Sequence, residues 1–349
     1  MISTMNSMAT LQGSLASRRN IADLSQRLDS AGREVSTGKH ADMYRTLGPR
    51  SAEALAVRSQ LARIDGFVQS NGALSRRLEA GAGALSDIRT TAQGVIETAL
   101  QSGGSGQVTA TLQASAQAAL EQIIGIANRD HAGEALFSGI DTDRAPLQPF
   151  DEVNPRSGVS PRQMVDAVIG AGPADAAGAE AMADTLAAVF TPGTGNFEDS
   201  FYNGTAAAVP DRLMARIDEN ETITHGIQAN DPGFTDLLRG LSMLAATDVS
   251  QFADPAAGQA WLDRAVGAMS DGNAKLLQAE SKLGAQQARL ESVMEAHAVK
   301  RDLYAKQSNA IETVDPYEAA TRLTELQTQL EASYMVTSRL SKLSFLNYV

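Results

Sequence analysis

The chain has 349 residues, a formal net charge of −12, no cysteine, and 5% aromatic against 43% hydrophobic residues. Without thiols there can be no disulfide, thiolate catalysis or Cys-ligated metal centre. The acidic balance argues against general nucleic-acid or anionic-membrane binding, which needs cationic surface. The length points to roughly two domains, and no run of about 18 apolar residues is available to span a membrane.

From the start, Met1 to Asn20 holds no acidic residue. It also lacks a basic segment followed by an apolar core and a small-residue cleavage site, so no Sec-type signal peptide is expected. Ile21, Leu24, Leu28, Ala31 and Val35 then recur in steps of three and four, which predicts an amphipathic helix. Ser36-Thr37-Gly38-Lys39 is its stop, with Gly38 suited to the left-handed conformation past a helix end. His40 to Arg50, containing Gly48-Pro49, reads as an irregular connector. A second helix follows Ser51, with Leu55, Leu61, Ile64, Val68, Leu74, Leu78, Leu85, Ile88 and Val95 on its apolar face. Gly81, Gly83 and Gly94 each weaken it by up to ~1 kcal/mol, so packing has to hold it. Ser102 to Gly106 is a flexible turn, and Leu112, Leu120, Ile123, Ile124 and Ala127 mark a returning helix, together an antiparallel hairpin. The turn lacks the Gly-Lys-Ser/Thr ending of a phosphate loop.

Nine of the eleven prolines lie between Pro146 and Pro255, leaving only Pro49 before and Pro316 after. Because proline is excluded from helix interiors, the flanks read as long helices and 146–255 as a turn-rich α+β insert. Within it, Gln163–Ile169 and Ala179–Phe190 look helical, and Arg212–Ile217 with Thr222–Ile227 form a hairpin. Phe234–Ala246 is a further helix with Asp231 as N-cap and Pro232 at its first position. The insert is acidic and is expected to face solvent. Beyond it, every seventh residue from Leu262 is Met269, Leu276, Leu283, Leu290, His297, Tyr304 and Ile311, a coiled-coil seam. After Pro316 the apolar pattern resumes as Leu323, Leu326, Leu330, Tyr334, Leu340, Leu343 and Leu346.

Little chemistry is visible. None of His40, His131, His225 and His297 belongs to a His-Glu-x-x-His motif. Asp130-His131 with Glu134 could share one helical face, but with no third partner a packing role outweighs metal binding. Asp141 and Asp143 are spaced like the start of a calcium loop whose Gly and terminal Glu are missing, which favours turn capping by the Asx side chains. No catalytic, cofactor or metal residue is assigned.

Several short stretches resemble the flagellin superfamily, and within it most closely the hook–filament junction branch of hook-associated proteins. They are Met1-Ile2-Ser3-Thr4, Glu34-Val35-Ser36-Thr37-Gly38-Lys39, Leu136-Phe137-Ser138-Gly139 with Asp141-Thr142-Asp143, Phe201-Tyr202-Asn203-Gly204, and Leu343-Ser344-Phe345-Leu346-Asn347-Tyr348-Val349. The resemblance implies a mainly α fold, a long antiparallel helical coiled-coil bundle with paired N- and C-terminal helices and a small α+β insert. It implies export, unfolded and without a cleaved signal, through the flagellar type III apparatus to the extracellular flagellum. Partners would be further copies of the chain in a ring or helical layer, a neighbouring hook-associated protein, flagellin, and an export chaperone on the C-terminal helix. No enzyme activity, nucleic acid, cofactor or membrane insertion is implied.

The expected division is 1–40 with 316–349 for assembly, 41–145 with 256–315 as a helical rod, and 146–255 as surface insert. The expected assembly interface is Ile21, Leu24, Leu28, Val35, Leu323, Leu326, Leu330, Tyr334, Leu340, Leu343 and Leu346. The alternatives are a flagellin-type filament subunit and, from another class, a secreted coiled-coil effector or binding protein.

Overall fold

The computed structural model describes the backbone of residues 2–102, 109–193, 197–209 and 212–346, and the side chains of these except 2–11, 14, 102, 109, 110 and 340–346. The expected glycine-rich turn thus falls, from Gly103 on, outside the described residues. In chain order the elements are α1 (Ile2–Thr37), α2 (Met43–Leu47), α3 (Ser51–Ser102), α4 (Thr109–Ala127), β1 (Asp130–His131), β2 (Glu134–Ala135), α5 (Pro161–Ile169), α6 (Ala176–Val189) and α7 (Phe197–Ser200). They continue with β3 (Leu213–Asp218), β4 (Glu221–His225), α8 (Pro232–Ala246), α9 (Pro255–Glu312) and α10 (Pro316–Leu346). The chain divides into a terminal unit, 1–66 with 297–349, and a central unit, 67–296. Both α3 and α9 contribute a segment to each.

In the central unit the seven-residue repeat is the buried seam. Leu262, Met269, Leu276, Leu283 and Leu290 are all buried, in one core with Leu74, Leu78, Leu85, Ile88 and Val95 of α3 and Leu112, Leu120 and Ile123 of α4. Cross-helix contacts fix α3 and α9 as antiparallel: Gly81 faces Leu283, Arg89 pairs with Glu280 at 2.6 Å, and Asn273 donates to Gln93 at 3.3 Å. Such a strict repeat of apolar residues needs helical partners along its whole length, and α3 supplies one of them.

The expectation that 146–255 faces solvent fails at α8. This helix carries Phe234, Leu237, Leu238, Leu241, Met243 and Leu244 around most of its circumference and is buried along nearly its whole length, with the paired Asp236 and Arg239 half-buried on the remaining side; so wide an apolar face has to be covered. Its approach to α9 is close enough to exclude side chains. A Cβ on Gly240 would lie 2.5 Å from the Ala265 carbonyl oxygen, and one on Gly272 would lie 2.5 Å from the Leu237 nitrogen. The last carbonyls of α8, which no intrahelical donor can reach, are satisfied by side chains. The Trp261 Nε1–H donates to Met243 O at 3.0 Å and Gln117 Nε2 to Ala245 O at 2.9 Å. At the other end Asp231 occupies the N-cap position but makes no capping bond. Its carboxylate instead accepts from Arg212 at 2.6 Å and from the Gln228 N–H at 2.8 Å.

The β3–β4 hairpin pairs Leu213 with His225 and Asp218 with Glu221, so the expected strands are shorter at their outer ends and one residue longer at the turn. Two motifs far apart in sequence meet here. The Thr205 hydroxyl accepts from the N–H groups of Ile140 and Asp141 at 3.0 and 3.2 Å and donates to Asp141 Oδ2 at 3.3 Å, while the Thr205 N–H donates to Ser138 O at 2.8 Å. Gly204 sits so close to the Ser138 carbonyl that a Cβ would clash with it. Asp141 therefore accepts from a residue distant in sequence, where local turn capping was expected. Phe190, Phe197 and Phe201 pack with ring centroids 4.7–5.6 Å apart beneath this junction.

The terminal unit has a much smaller core. Ala54 and Val57 of α3 meet Ile311 of α9, with Met43, Leu47 and Tyr304 against them. Leu55, expected on the apolar face, is 57% exposed, because Ala54 and Val57 take the side turned to α9. His40 to Arg50 is not wholly irregular: Asp42 caps α2 through Arg45 N–H at 3.0 Å, and 48–50 form a 3-10 turn.

Candidate assembly interface

α1 and α10 pack along each other, joined to the rest of their unit by two connectors. A helix pair can bury only the strip where the two cylinders touch, and the residues here show that limit. Ala31 and Ala319 are buried; Ile21, Leu24, Leu28, Leu323, Leu326 and Leu330 are half-buried. Val35 is 42% exposed and Tyr334 55% exposed. At the end of the α1 stripe the buried positions are Ala31 and Glu34 rather than Val35, so the stripe drifts by one residue. The side chains of Leu340, Leu343 and Leu346 lie outside the described residues. Met335 and Val336, exposed beside Tyr334, were not picked out by a one-stripe pattern. Three successive residues on a helix span roughly 200° of its circumference, more than one partner helix can cover.

The connectors are tied to each other. Gly38 ends α1 with φ +68°, a left-handed conformation that a Cβ would strain. The strand-like bridge Lys39–Thr313 follows, with His40 N–H donating to Glu312 O and Val314 N–H to Gly38 O, both at 3.0 Å. Two buried carboxylates sit on this crossing. Glu312, 2% exposed, accepts from Arg58 Nε at 2.6 Å, Ser308 Oγ at 2.7 Å and Lys39 Nζ at 3.1 Å. The hydrogen bond from Arg58, opposed by burial and aided by Ser308 and Lys39, holds its carboxyl down at about 2. The same bond pushes the Arg58 guanidinium further up. Glu34, 6% exposed, accepts from the Ala41 N–H at 3.1 Å and lies 3.9 Å from His40 Nδ1 and 3.5 Å from Arg322 of α10. Neither carboxylate was anticipated. The available signal was an acidic residue at a helical spacing that otherwise reads apolar, as Glu34 does three residues after Ala31.

A groove of about 580 Å³ beside the connectors is lined by Arg27, Arg33 and Arg322 together with Asp23, Asp29 and Glu325; its polar walls of both signs suit a charged surface. The Asp130-His131-Glu134 grouping is not helical. His131 and Glu134 face each other across a tight hairpin turned by Ala132 and Gly133 at φ +56° and +82°, and Glu134 pairs with Arg77 at 2.6 Å. Among the described residues no three His, Asp or Glu side chains converge as a metal site, and no helix is long and apolar enough to cross a membrane.

Residues 8–142 match the bacterial flagellin N-terminal helical region and 266–349 the bacterial flagellin C-terminal helical region. No curated protein matches the chain. In fold it is similar to a protein of Vibrio parahaemolyticus provisionally assigned as flagellar hook-associated, at 14% identity and TM-score 0.53, covering 76% of this chain and 99% of that one. The FlgL structure of Bacillus cereus aligns at 10% identity and TM-score 0.41, covering 75% of this chain and 99% of that one. The two family regions together take in well over half of the sequence and include α1 from residue 8 and all of α10. The chain therefore belongs to the flagellin superfamily, a family of structural proteins rather than enzymes, and is a structural subunit of the extracellular bacterial flagellum.

Proposed function

We propose that this subunit joins hook to filament, self-associating through residues 1–40 and 316–349. The carrying observation is the uncovered run Tyr334-Met335-Val336 on α10, each residue more than half exposed beside half-buried Leu323, Leu326 and Leu330. Neighbouring subunits would cover these faces, each fully buried leucine contributing roughly 1.5–3 kcal/mol. The Ser36-Thr37-Gly38-Lys39 ending of α1 and the aromatic-containing stretch from Leu343 to Val349, which resemble the junction branch, favour the junction over the filament position. On this reading the partners are copies of the chain, an adjoining hook-associated protein and flagellin, with an export chaperone holding α10 before passage through the flagellar type III apparatus. Electron microscopy of flagella from a strain lacking the protein tests the role: bare hooks with flagellin shed into the medium are expected. Hooks bearing full filaments would refute it. The match to flagellin end regions makes a filament subunit the second reading. Purified protein added to filament seeds separates the two, with indefinite growth expected of a filament subunit and a single layer of a junction protein.

A further inference from the structure

We infer that the two connectors of the terminal unit form a single elbow, locked by Glu34 and Glu312, so that α1 and α10 are held or released together as one lever. Each connector on its own is a short break between helices, 38–42 after α1 and 313–315 before α10. Two independent breaks would leave the helices joined only by their own narrow packing strip. Here the backbone of one connector is bonded to that of the other, at His40 N–H to Glu312 O and Val314 N–H to Gly38 O. The two carboxylates then cross-brace the joint. Glu312 ends α9 yet holds Lys39 of the first connector and Arg58 of α3. Glu34 ends α1 yet holds the Ala41 N–H of the first connector and approaches Arg322 of α10. The charged groups facing this joint are Lys39, Arg58 and Arg322, with Glu318 on Arg322, and the titratable His40 imidazole lies beside Glu34. A charge buried at a joint and met from three elements is lost all at once, because removing one partner leaves the others uncompensated.

The distinctive consequence is action at a distance. Glu34 makes no bond to 313–315, and Glu312 makes none to Ala41. Hydrogen exchange on the full chain, with the central-unit amides as internal reference, reads both connectors. In Glu312→Gln the Ala41 amide, and in Glu34→Gln the Val314 amide, is expected to exchange on the order of tenfold faster, in step with the amides at the mutated connector. Acceleration confined to the mutated connector, or no acceleration, overturns the single elbow. Should either variant lose the helical signal of the terminal unit, the milder Lys39→Gln, altering a half-exposed partner, carries the same test: Val314 and Ala41 accelerate together or the inference fails.

Discussion

The close approach of α8 to α9 predicts that one substitution, made twice in the same helix, has opposite signs. Gly267 and Gly272 are both interior to α9, so alanine gains about 0.5–1 kcal/mol of backbone entropy and propensity at either. At Gly267 a Cβ meets nothing within 4 Å. Gly267→Ala is therefore expected to stabilise by that amount. At Gly272 a Cβ would stand 2.5 Å from Leu237 N, 2.8 Å from Leu237 Cα and 2.9 Å from Gly233 O, all backbone atoms that cannot rotate away. Restoring ordinary contact pushes α8 outward by about 0.9 Å, and a gap of that size forfeits a quarter to a half of the dispersion well of each contact it opens. Overpacking of this kind costs about 1–3 kcal/mol, so after the propensity gain Gly272→Ala is expected to destabilise by about 1–2 kcal/mol. Urea unfolding followed by the fluorescence of Trp261, which is buried between α8 and α9 contacts, measures both variants. Equal stabilisation by the two alanines would refute the packing argument.

The same joint that locks the elbow makes the terminal unit sensitive to acid. Glu312 has its carboxyl held from 4.5 down to about 2, so its stabilisation is complete above pH 4.5 and is lost as pH falls through about 2. The full linkage is roughly 3 kcal/mol, and the half-exposure of Arg58 and Lys39 reduces it to about 1–2 kcal/mol. Melting of wild type and Glu312→Gln between pH 6 and pH 2 checks this: the gap between them closes toward pH 2, and a constant gap sinks the assignment. Deleting 1–40 and 316–349 together is expected to leave a helical monomer unable to join hook or filament ends, observed by circular dichroism and co-sedimentation; a truncated chain that still joins would show that assembly lies elsewhere.

The helices were legible where a single period decides them. The repeat from Leu262 to Ile311 is the seam of α9, Gly38 and Pro316 bound the connectors, and the hairpin around Asp218–Glu221 sits where its turn residues placed it. The misses share a cause, which is that a distant partner outcompetes the local preference. Asp231 holds the capping position of α8, but Arg212 takes its carboxylate. Leu55 fits an apolar stripe, but α9 meets the side bearing Ala54 and Val57. Glu34 and Glu312 are not singled out by spacing, because Arg322 and Arg58, which converge on them, are distant in sequence. α8 is expected at the surface with the acidic region around it, although Asp236 and Arg239 are its only charged residues. On the candidate interface, the half-buried leucines of α1 and α10 followed from spacing, whereas Met335 and Val336 did not, since they lie off the stripe.

The distribution of aromatic residues gives the molecule a native optical reporter for its central unit. Trp261 and Tyr202 belong to the central unit, whereas Tyr44, Tyr304, Tyr317 and Tyr334 belong to the terminal unit. Tyr317 is 86% and Tyr44 71% exposed, while Trp261 is fully buried. Trp261 emission therefore follows the central unit with no label introduced, and so does much of the change in tyrosine absorbance on unfolding, because Tyr202 is fully buried there while Tyr317 and Tyr44 already face solvent. Trp261 emission coinciding with the far-UV circular dichroism of the whole chain would mean that it melts as one cooperative body, and a separate dichroism transition would give the terminal unit its own midpoint.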